Sequence, residues 1–399
     1  MPLPLSAPSP FGSNQIGMRE FNERVVLQAI RLHGSLPKAE VARITLLSTQ
    51  TVSVIVNRLL DEGLVIKLDS LRGKVGQPSQ PIALAPGGAF SLGIQIGRRS
   101  LDVMLLDFAG ATRYRASIAY DTPAVDAVFA EIGTQLRKIE ALLGAHLPRL
   151  TGIGLAAPLM FGGWQQLVHL SPQDADAWTR TSMRERLQRL TPLPVQFAKD
   201  TAAACVAELV AGRGRSLKSY LYLFVDTLVG GGLVIDGQPR SGVYGNAGAV
   251  GSMPLALAGG TRPAQLLGVA SLVTLEEMHA AAGLAVLAPL DERVLQGPWR
   301  AVTERWLVDA AGALAFAING SACLLDLDGV IVDGAMQAAL LVRLLDAVRT
   351  AMGRYSWEGV MRPDLHQGAI GVDAKVTGAA YLPLHASFAP AHDLFLKLA

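Results

Sequence analysis

Residues 36–64, LPKAEVARITLLSTQTVSVIVNRLLDEGL, constrain this chain most: two helical patterns lie so close together that they must pack as helix, turn, helix. Upstream, Phe21, Val25, Val26, Ala29 and Ile30 recur at helical spacing, which predicts an amphipathic helix over about 18–33 that His33-Gly34 stops. Pro37 can take the first turn of a second helix, about 37–44, where its missing N–H costs nothing. Ala39, Val41 and Ala42 are compact enough for tight packing, and Leu46-Leu47 makes the turn. Ser48 is a good N-cap for a third helix, about 48–61, because its hydroxyl can accept from the free amide of Gln50 or Thr51.

In that third helix Val52, Val56, Leu59 and Leu60 mark an inward stripe, and Thr49, Gln50, Ser53 and Asn57 fall on the other face. Gln can bond adenine through two hydrogen bonds, and Ser or Thr can serve either base or phosphate. The plainer reading of the same face is a solvated helix surface. Gly63 ends the helix, and Val65–Leu68 and Pro81–Leu84 read as two short strands. Between them runs Leu71-Arg72-Gly73-Lys74-Val75-Gly76-Gln77-Pro78, which is either a linker or the tip of a wing. In a wing, Arg72 and Lys74 reach phosphate or a narrow minor groove. Together this is the format that puts side chains into a DNA major groove. The candidate DNA contacts are Ser48, Thr49, Gln50, Ser53, Asn57, Arg72 and Lys74. Charge agrees weakly: residues 19–84 carry nine Lys/Arg against six Asp/Glu, a net of +3 in a chain whose total is +2.

At 399 residues the chain fits two or three domains, and half of it is apolar, so large cores are within reach. Residues 1–17, rich in Pro and Ser, are expected to be disordered. Cys205 and Cys323 each sit in an apolar run with no CxxC or Cys/His spacing, which argues against a disulfide framework and a thiolate zinc site. No apolar run approaches the roughly 20 residues that a membrane span needs, and the N-terminus lacks a basic-then-apolar signal pattern. A cytoplasmic location with no membrane partner is the expectation.

Beyond residue 88 the pattern changes. Residues 91–107 read as a hairpin turning at Gly97-Arg98-Arg99, 125–143 as a helix and Thr151–Ala157 as a buried strand. A strand at Val195–Phe197 leads through Lys199-Asp200 into a helix over Thr201–Val210. Strands at Tyr220–Val225 and Gly232–Ile235 flank a Gly-rich turn. Alternating strands and helices after an initial hairpin predict α/β layers.

From Phe21 to its C-terminus the chain resembles the transcriptional-repressor branch of the ROK family (repressors, open reading frames and sugar kinases), the branch of the N-acetylglucosamine and xylose repressors. The pieces that carry this are LSTQTVSVIVNRLLDEGLV with the following wing, LGIQIG, GIGLAAP, KDTAAACVAE, VGGGLVIDGQPRSGVYGNAGAVGSMPL, and VTGAAYLPL at 376–384. The resemblance implies a winged helix-turn-helix over 18–85 and a two-lobed, actin-like (ribonuclease-H-like) sugar-kinase domain over 88–399. Lobe one would be about 88–198 plus a C-terminal helix at about 376–399, and lobe two about 199–375. It also implies a homodimer or homotetramer.

Departures from the family pattern shape the functional expectation. Family kinases place an Asp and a Gly-Gly-Thr turn at the ATP phosphates in the first hairpin; here stand Gln95 and Gly97-Arg98-Arg99-Ser100. A phosphate turn needs glycines so that backbone amides can approach the anion. The second phosphate loop, typically GTGIGGG, is Asp226-Thr227-Leu228-Val229-Gly230-Gly231-Gly232, and the later glycine turn is Val332-Asp333-Gly334. The family's Glu-x-Gly-His becomes Ala249-Val250-Gly251-Ser252, with no Cys or His in 253–275, so its zinc site is not expected. His169, His279 and His366 have no partners at ligand spacing.

Asp200 matches the family's general base, which takes a proton from the sugar hydroxyl, with Lys199 where Asn is usual. Asp200 can bond a ligand's hydroxyls, pair with Lys199 or another cation, or serve only as a carboxylate favoured at a helix N-terminus. Asn246 and Gly248 fall in the matching cleft loop, as ligand contacts or as turn formers. The expectation is a DNA-binding repressor with no catalytic residue, cofactor or metal. Two copies would sit on a palindromic operator, and a sugar or sugar derivative would bind near Lys199, Asp200, Asn246 and Gly248. The alternatives are an active sugar kinase with a DNA-binding appendage, and a DNA-binding protein that needs no ligand.

Overall fold

A computed structural model describes residues 15–69, 80–120, 122–161, 170–255 and 264–390. The N-terminal module consists of α1 (Gln15–His33), β1 (Ser35–Pro37), α2 (Lys38–Thr45), α3 (Thr49–Asp61), β2 (Val65–Lys67) and β3 (Pro81–Leu84). Pro37 is the N-cap of α2, one position outside the helix, with φ −62°. Leu46 takes the left-handed conformation at φ 58°, which reverses the chain between α2 and α3. Ser48 Oγ accepts from the Thr51 amide at 3.1 Å and caps α3. Strand β1, which no alternation in so short a segment announces, pairs antiparallel with β3 (Leu36 opposite Ile82), giving a sheet of order β1-β3-β2. α1 starts at Gln15, inside the segment expected to be disordered. The wing tip, with Arg72 and Lys74, lies outside the described residues.

The next unit runs β4 (Phe90–Ile96), β5 (Ser100–Asp107), β6 (Thr112–Ala119), α4 (Val125–Leu143), β7 (Leu150–Ala157), α5 (Pro172–Arg180), α6 (Met183–Gln188) and β8 (Val195–Lys199). Then follow α7 (Asp200–Ala211), β9 (Tyr220–Val225), β10 (Gly230–Ile235), β11 (Gln238–Arg240), α8 (Leu267–Ala270), α9 (Leu272–Ala281) and α10 (Trp299–Leu325). The chain closes with β12 (Gly329–Gly334), α11 (Ala338–Met352), β13 (Asp364–Gln367) and α12 (Ala374–Phe388). The two large sheets have orders β6-β5-β4-β7-β8 and β11-β10-β9-β12-β13. Each starts with antiparallel strands and adds two parallel ones on the other side of its first strand. That repeated plan is the two-lobed actin-like architecture.

Each lobe has its own core. Val128, Phe129 and Ile132 of α4 meet Ile94, Val103 and Trp178 in the first; Trp306, Leu314 and Ile318 of α10 meet Leu223, Val330 and Leu344 in the second. α10 corrects one expectation. At 27 residues it is long and apolar enough to cross a membrane. Its buried side, 13 of its 27 residues, packs against α9, α11 and the sheet, which accounts for much of its apolarity as a core helix.

α12 binds the parts together. It lies on β4 and β7 of the first sheet and against α7. Its small residues make this possible, since a Cβ at Gly378 would overlap the Ala203 carbonyl of α7. The helix expected at about 376–399 is Ala374–Phe388, and residues 391–399 lie outside the described ones. One side of α12 enters the core of the N-terminal module: Val376, Ala380, Tyr381 and Leu384 share one cluster with Val26, Ile30, Val52 and Ile82. At this seam the Arg31 guanidinium stands 5.1 Å over the Phe108 ring, which packs against Phe388 at 4.7 Å. Arg149 donates to the carbonyls of Glu62 and Gly88, and Arg215 to that of Leu32.

Candidate DNA-reading face and inter-lobe cavity

α3 buries Val52, Ile55, Val56 and Leu59 against α1 and α2, which leaves its opposite face outward. Ser48, Thr49 and Gln50 are exposed at its N-terminus, and Ser53 is half-buried one turn on. The Ser48 hydroxyl is spoken for by Thr51, both amide and side chain. Asn57 is exposed but held by Lys38 Nζ at 3.0 Å, which ties the end of the polar face to α2. The sequence reading missed Val54, which is 66% exposed between Gln50 and Asn57. The signal was available: an aliphatic residue at the helical spacing of the polar face, three or four positions from its neighbours.

The second site is a cavity of about 520 Å³ between the lobes, within the range of small-molecule sites. Among the segments that line it are the β4–β5 turn, the β8–α7 junction, the β9–β10 turn and the first turn of α12. Asp200 opens α7, where its Oδ1 accepts from the Thr201 amide at 2.8 Å. Its Oδ2 lies 2.9 Å from Lys375 Nζ, and the same ammonium lies 2.7 Å from Asp226 Oδ2. The Phe224 ring centroid is 5.3 Å from Nζ. Burial opposes charge on Lys375, but Asp200 and Asp226 together outweigh it and hold the ammonium above its ordinary pKa. Burial likewise opposes the Asp200 carboxylate, and Lys375, with help from Lys199 and the Thr201 amide, holds it below the usual carboxylate range.

Lys375 is the main residue that sequence reasoning did not find. It sits in AKVTGAA, far in sequence from both acids, and no spacing links it to them. Lys199, the nearer candidate, lines the cavity but is not the ion-pair partner of Asp200. Asn246 lines the cavity. Gly248 does not: at φ +72° it packs on the Gly232 backbone, where any Cβ would collide, so its role is close approach of two chain segments.

Of the remaining cavity charges, Arg99 makes a two-pronged pair with Glu276 at 2.7 Å on each arm, and Arg115 bridges Asp102 and Asp373 at 2.7 Å each. Asp333, expected at a nucleotide-side turn, is fully buried. It accepts from the amides of Gly334 and Gly371 and from the Tyr222 hydroxyl, and burial raises its pKa. His279 is buried against Thr303 at 3.3 Å, His366 pairs in register with Ile331, and His169 lies outside the described residues. Among the described residues, no three His, Cys, Asp or Glu side chains converge as a metal would need.

A winged helix-turn-helix joined to a body of this topology is a DNA-binding transcription regulator built on a sugar-kinase fold. The chain belongs to the ROK family, whose model matches residues 91–386, and a MarR family model matches residues 21–74. It is 24% identical over 368 residues to the uncharacterized protein y4fQ of Sinorhizobium fredii, covering 92% of this chain and 91% of that one. It is 22% identical over 246 residues to the xylose repressor of Bacillus subtilis, covering 61% of this chain and 62% of that one. Its fold is similar to that of a ROK family transcriptional regulator described as a homolog of E. coli MLC (TM-score 0.68, 19% identity, 94% of this chain and 98% of that one).

Proposed function

We propose that the chain is a cytoplasmic repressor, active as a symmetric homo-oligomer. It reads a two-fold-symmetric operator through Thr49, Gln50 and Ser53 of α3 in each of two copies. Arg72 and Lys74 of each wing add contacts to phosphate or the minor groove. A small molecule in the inter-lobe cavity is the effector, and the body has no kinase activity.

One observation carries the reading of the body: Asp200 is locked to Lys375 and, through it, to Asp226. A general base must be free to take a proton. A carboxylate held below its ordinary pKa by a buried ammonium is a poor proton acceptor. Asp333 adds to this by occupying two backbone amides at a turn where a phosphate would need them. The repressor relatives favour the same direction.

The effector's influence on DNA follows from α12. Its first turn carries Lys375, which lines the cavity, and its Val376, Ala380, Tyr381 and Leu384 are part of the N-terminal module's core. A ligand whose charge or hydrogen bonds fall beside the Asp200–Lys375–Asp226 set changes what holds Lys375, and so the seat of the DNA module. By linkage the ligand must then bind the free and DNA-bound forms with different affinity.

The test is a nuclease footprint on DNA upstream of the chain's own gene and its neighbours, in about 150 mM salt because phosphate contacts are salt-dependent, beside an assay of ATP-dependent sugar phosphorylation. A symmetric protected site without phosphorylation is the expected result. Phosphorylation that disappears in Asp200→Asn, with no protected site, would overturn it.

A further inference from the structure

Five cations line the inter-lobe cavity: Arg98, Arg99, Arg115, Lys199 and Lys375. Three are matched by carboxylates, Lys375 by Asp200 and Asp226, Arg115 by Asp102 and Asp373, and Arg99 by Glu276. Among the described residues, Arg98 and Lys199 are not. Arg98 gives one N–H to the Phe161 carbonyl at 2.8 Å and lies 5.4 Å over the Phe161 ring. Among the described residues neither its other N–H groups nor the Lys199 ammonium has a hydrogen-bond acceptor. Burial lowers the pKa of both, against a partial opposing pull from Asp200.

Both side chains are half-buried on the cavity wall, so their free donors face the space that a ligand would enter. Asp200 pulls on both electrostatically but forms an ion pair with neither: its Oδ1 accepts from the Thr201 amide and its Oδ2 faces Lys375. The acceptors are equally telling. Carboxylates are the strongest acceptors for a neutral sugar's hydroxyl groups, and all four that line the cavity already pair with cations. The site has spare positive donors and few spare acceptors.

We propose that the cavity receives an anionic small molecule, a phosphate ester or a carboxylate of a polyol, whose acidic group is met by Arg98 and Lys199. Guanidinium and ammonium groups suit that chemistry, the first by its two-pronged geometry and the second as a point charge. Asn246 and Ser117, also on the lining, are left for the uncharged part. The proposal rests on the cavity being the effector site and gives that effector its charge.

The experiment uses the full chain and three probes at constant ionic strength: inorganic phosphate followed by ³¹P line broadening, with acetate and glycerol as competitors. Saturable phosphate binding is expected, weakened at least tenfold in Lys199→Gln and in Arg98→Leu and restored in Lys199→Arg, which also controls for folding. Acetate competing as well as phosphate assigns a carboxylate ligand, and acetate failing to compete assigns a phosphate ester. Absence of saturable binding, equal binding in both variants, or displacement by glycerol overturns the proposal. Affinity for a footprinted DNA site is measured on the same samples. Phosphate binding that leaves DNA affinity unchanged would remove the effector reading while the anion site stands.

Discussion

The Lys375 ammonium lies 2.9 Å from the Asp200 carboxylate, joining the first turn of α12 to the first turn of α7. Asp226, just past the end of β9, takes the other side of the same ammonium at 2.7 Å. One cation therefore holds two acids contributed by different segments around the cavity, on a helix that continues into the core of the DNA-binding module. Removing one partner of a buried ion pair is much more disruptive than replacing the whole set, because it strands a charge.

Lys375→Met is accordingly expected to destabilise the chain by about 3–5 kcal/mol, read from urea unfolding. Adding Asp200→Asn and Asp226→Asn to that variant should recover most of the loss, since no buried charge is then left unpaired. A triple variant as unstable as the single one would mean that Lys375 acts through packing on Phe224 and not through charge.

How much of this was legible in the sequence depends on the range of the interaction. The α3 cap is a contact between Ser48 and Thr51, three residues apart, and the sequence reading found it; the inward stripe of α3 is equally local. The order of strands around the Gly-rich turn was legible for the same reason, apart from short pieces such as β1, whose pairing with β3 depends on a partner far along the chain. The cavity was legible only in part. Asp200 stands in a recognisable segment, but its partner Lys375 is brought in by the packing of α12 on glycine-lined surfaces, and no periodicity encodes that. Gly248 stayed open between ligand contact and turn former for a related reason: a glycine in a loop can serve a ligand or another backbone, and its packing on Gly232 could not be seen in the sequence.

Gln50 and Val54 make a paired prediction about base reading. Gln50→Ala should cost about 1–3 kcal/mol on the specific site and little on random DNA. Val54 offers an exposed aliphatic surface suited to a thymine methyl. Val54→Ala should cost roughly 1 kcal/mol, the scale of one or two buried methyl groups, and replacing the contacted thymine by uracil should cost the wild type the same and the variant nothing. Binding measured by fluorescence anisotropy decides. Equal losses on specific and random DNA would rule out base reading by either residue.

The seam between α1 and α12 should be sensitive to acid. Burial, and then the Arg31 charge facing it, hold the His385 pKa below its ordinary value of 6.5. The folded state thus binds fewer protons here than the unfolded state. The stabilisation is fully present above about pH 6.5 and is lost as pH falls from there toward the folded pKa. The drop in melting temperature between pH 7.5 and pH 5.5 should shrink in His385→Gln. It should not vanish, because burial also lowers the pKa of His279. A drop of unchanged size would remove His385 from the account.

Phe108 tests whether the DNA module and the body are one cooperative unit. Its ring is fully buried, under the Arg31 guanidinium and beside Phe388, in the core that α1, α3, β5 and α12 share. Phe108→Ala should cost about 3–5 kcal/mol, the usual loss for deleting a buried aromatic ring. Because the cavity it leaves lies at the seam, the loss should fall first on α1 and α2, whose amides should exchange with solvent faster than those of β9 and β12. If the seam also transmits the effector's signal, any effect of a cavity ligand on DNA affinity should shrink in this variant while the ligand's own binding to DNA-free protein changes little. Uniformly faster exchange across both lobes, with the ligand's effect on DNA intact, would instead mean that Phe108 supports the whole fold and that the signal takes another route.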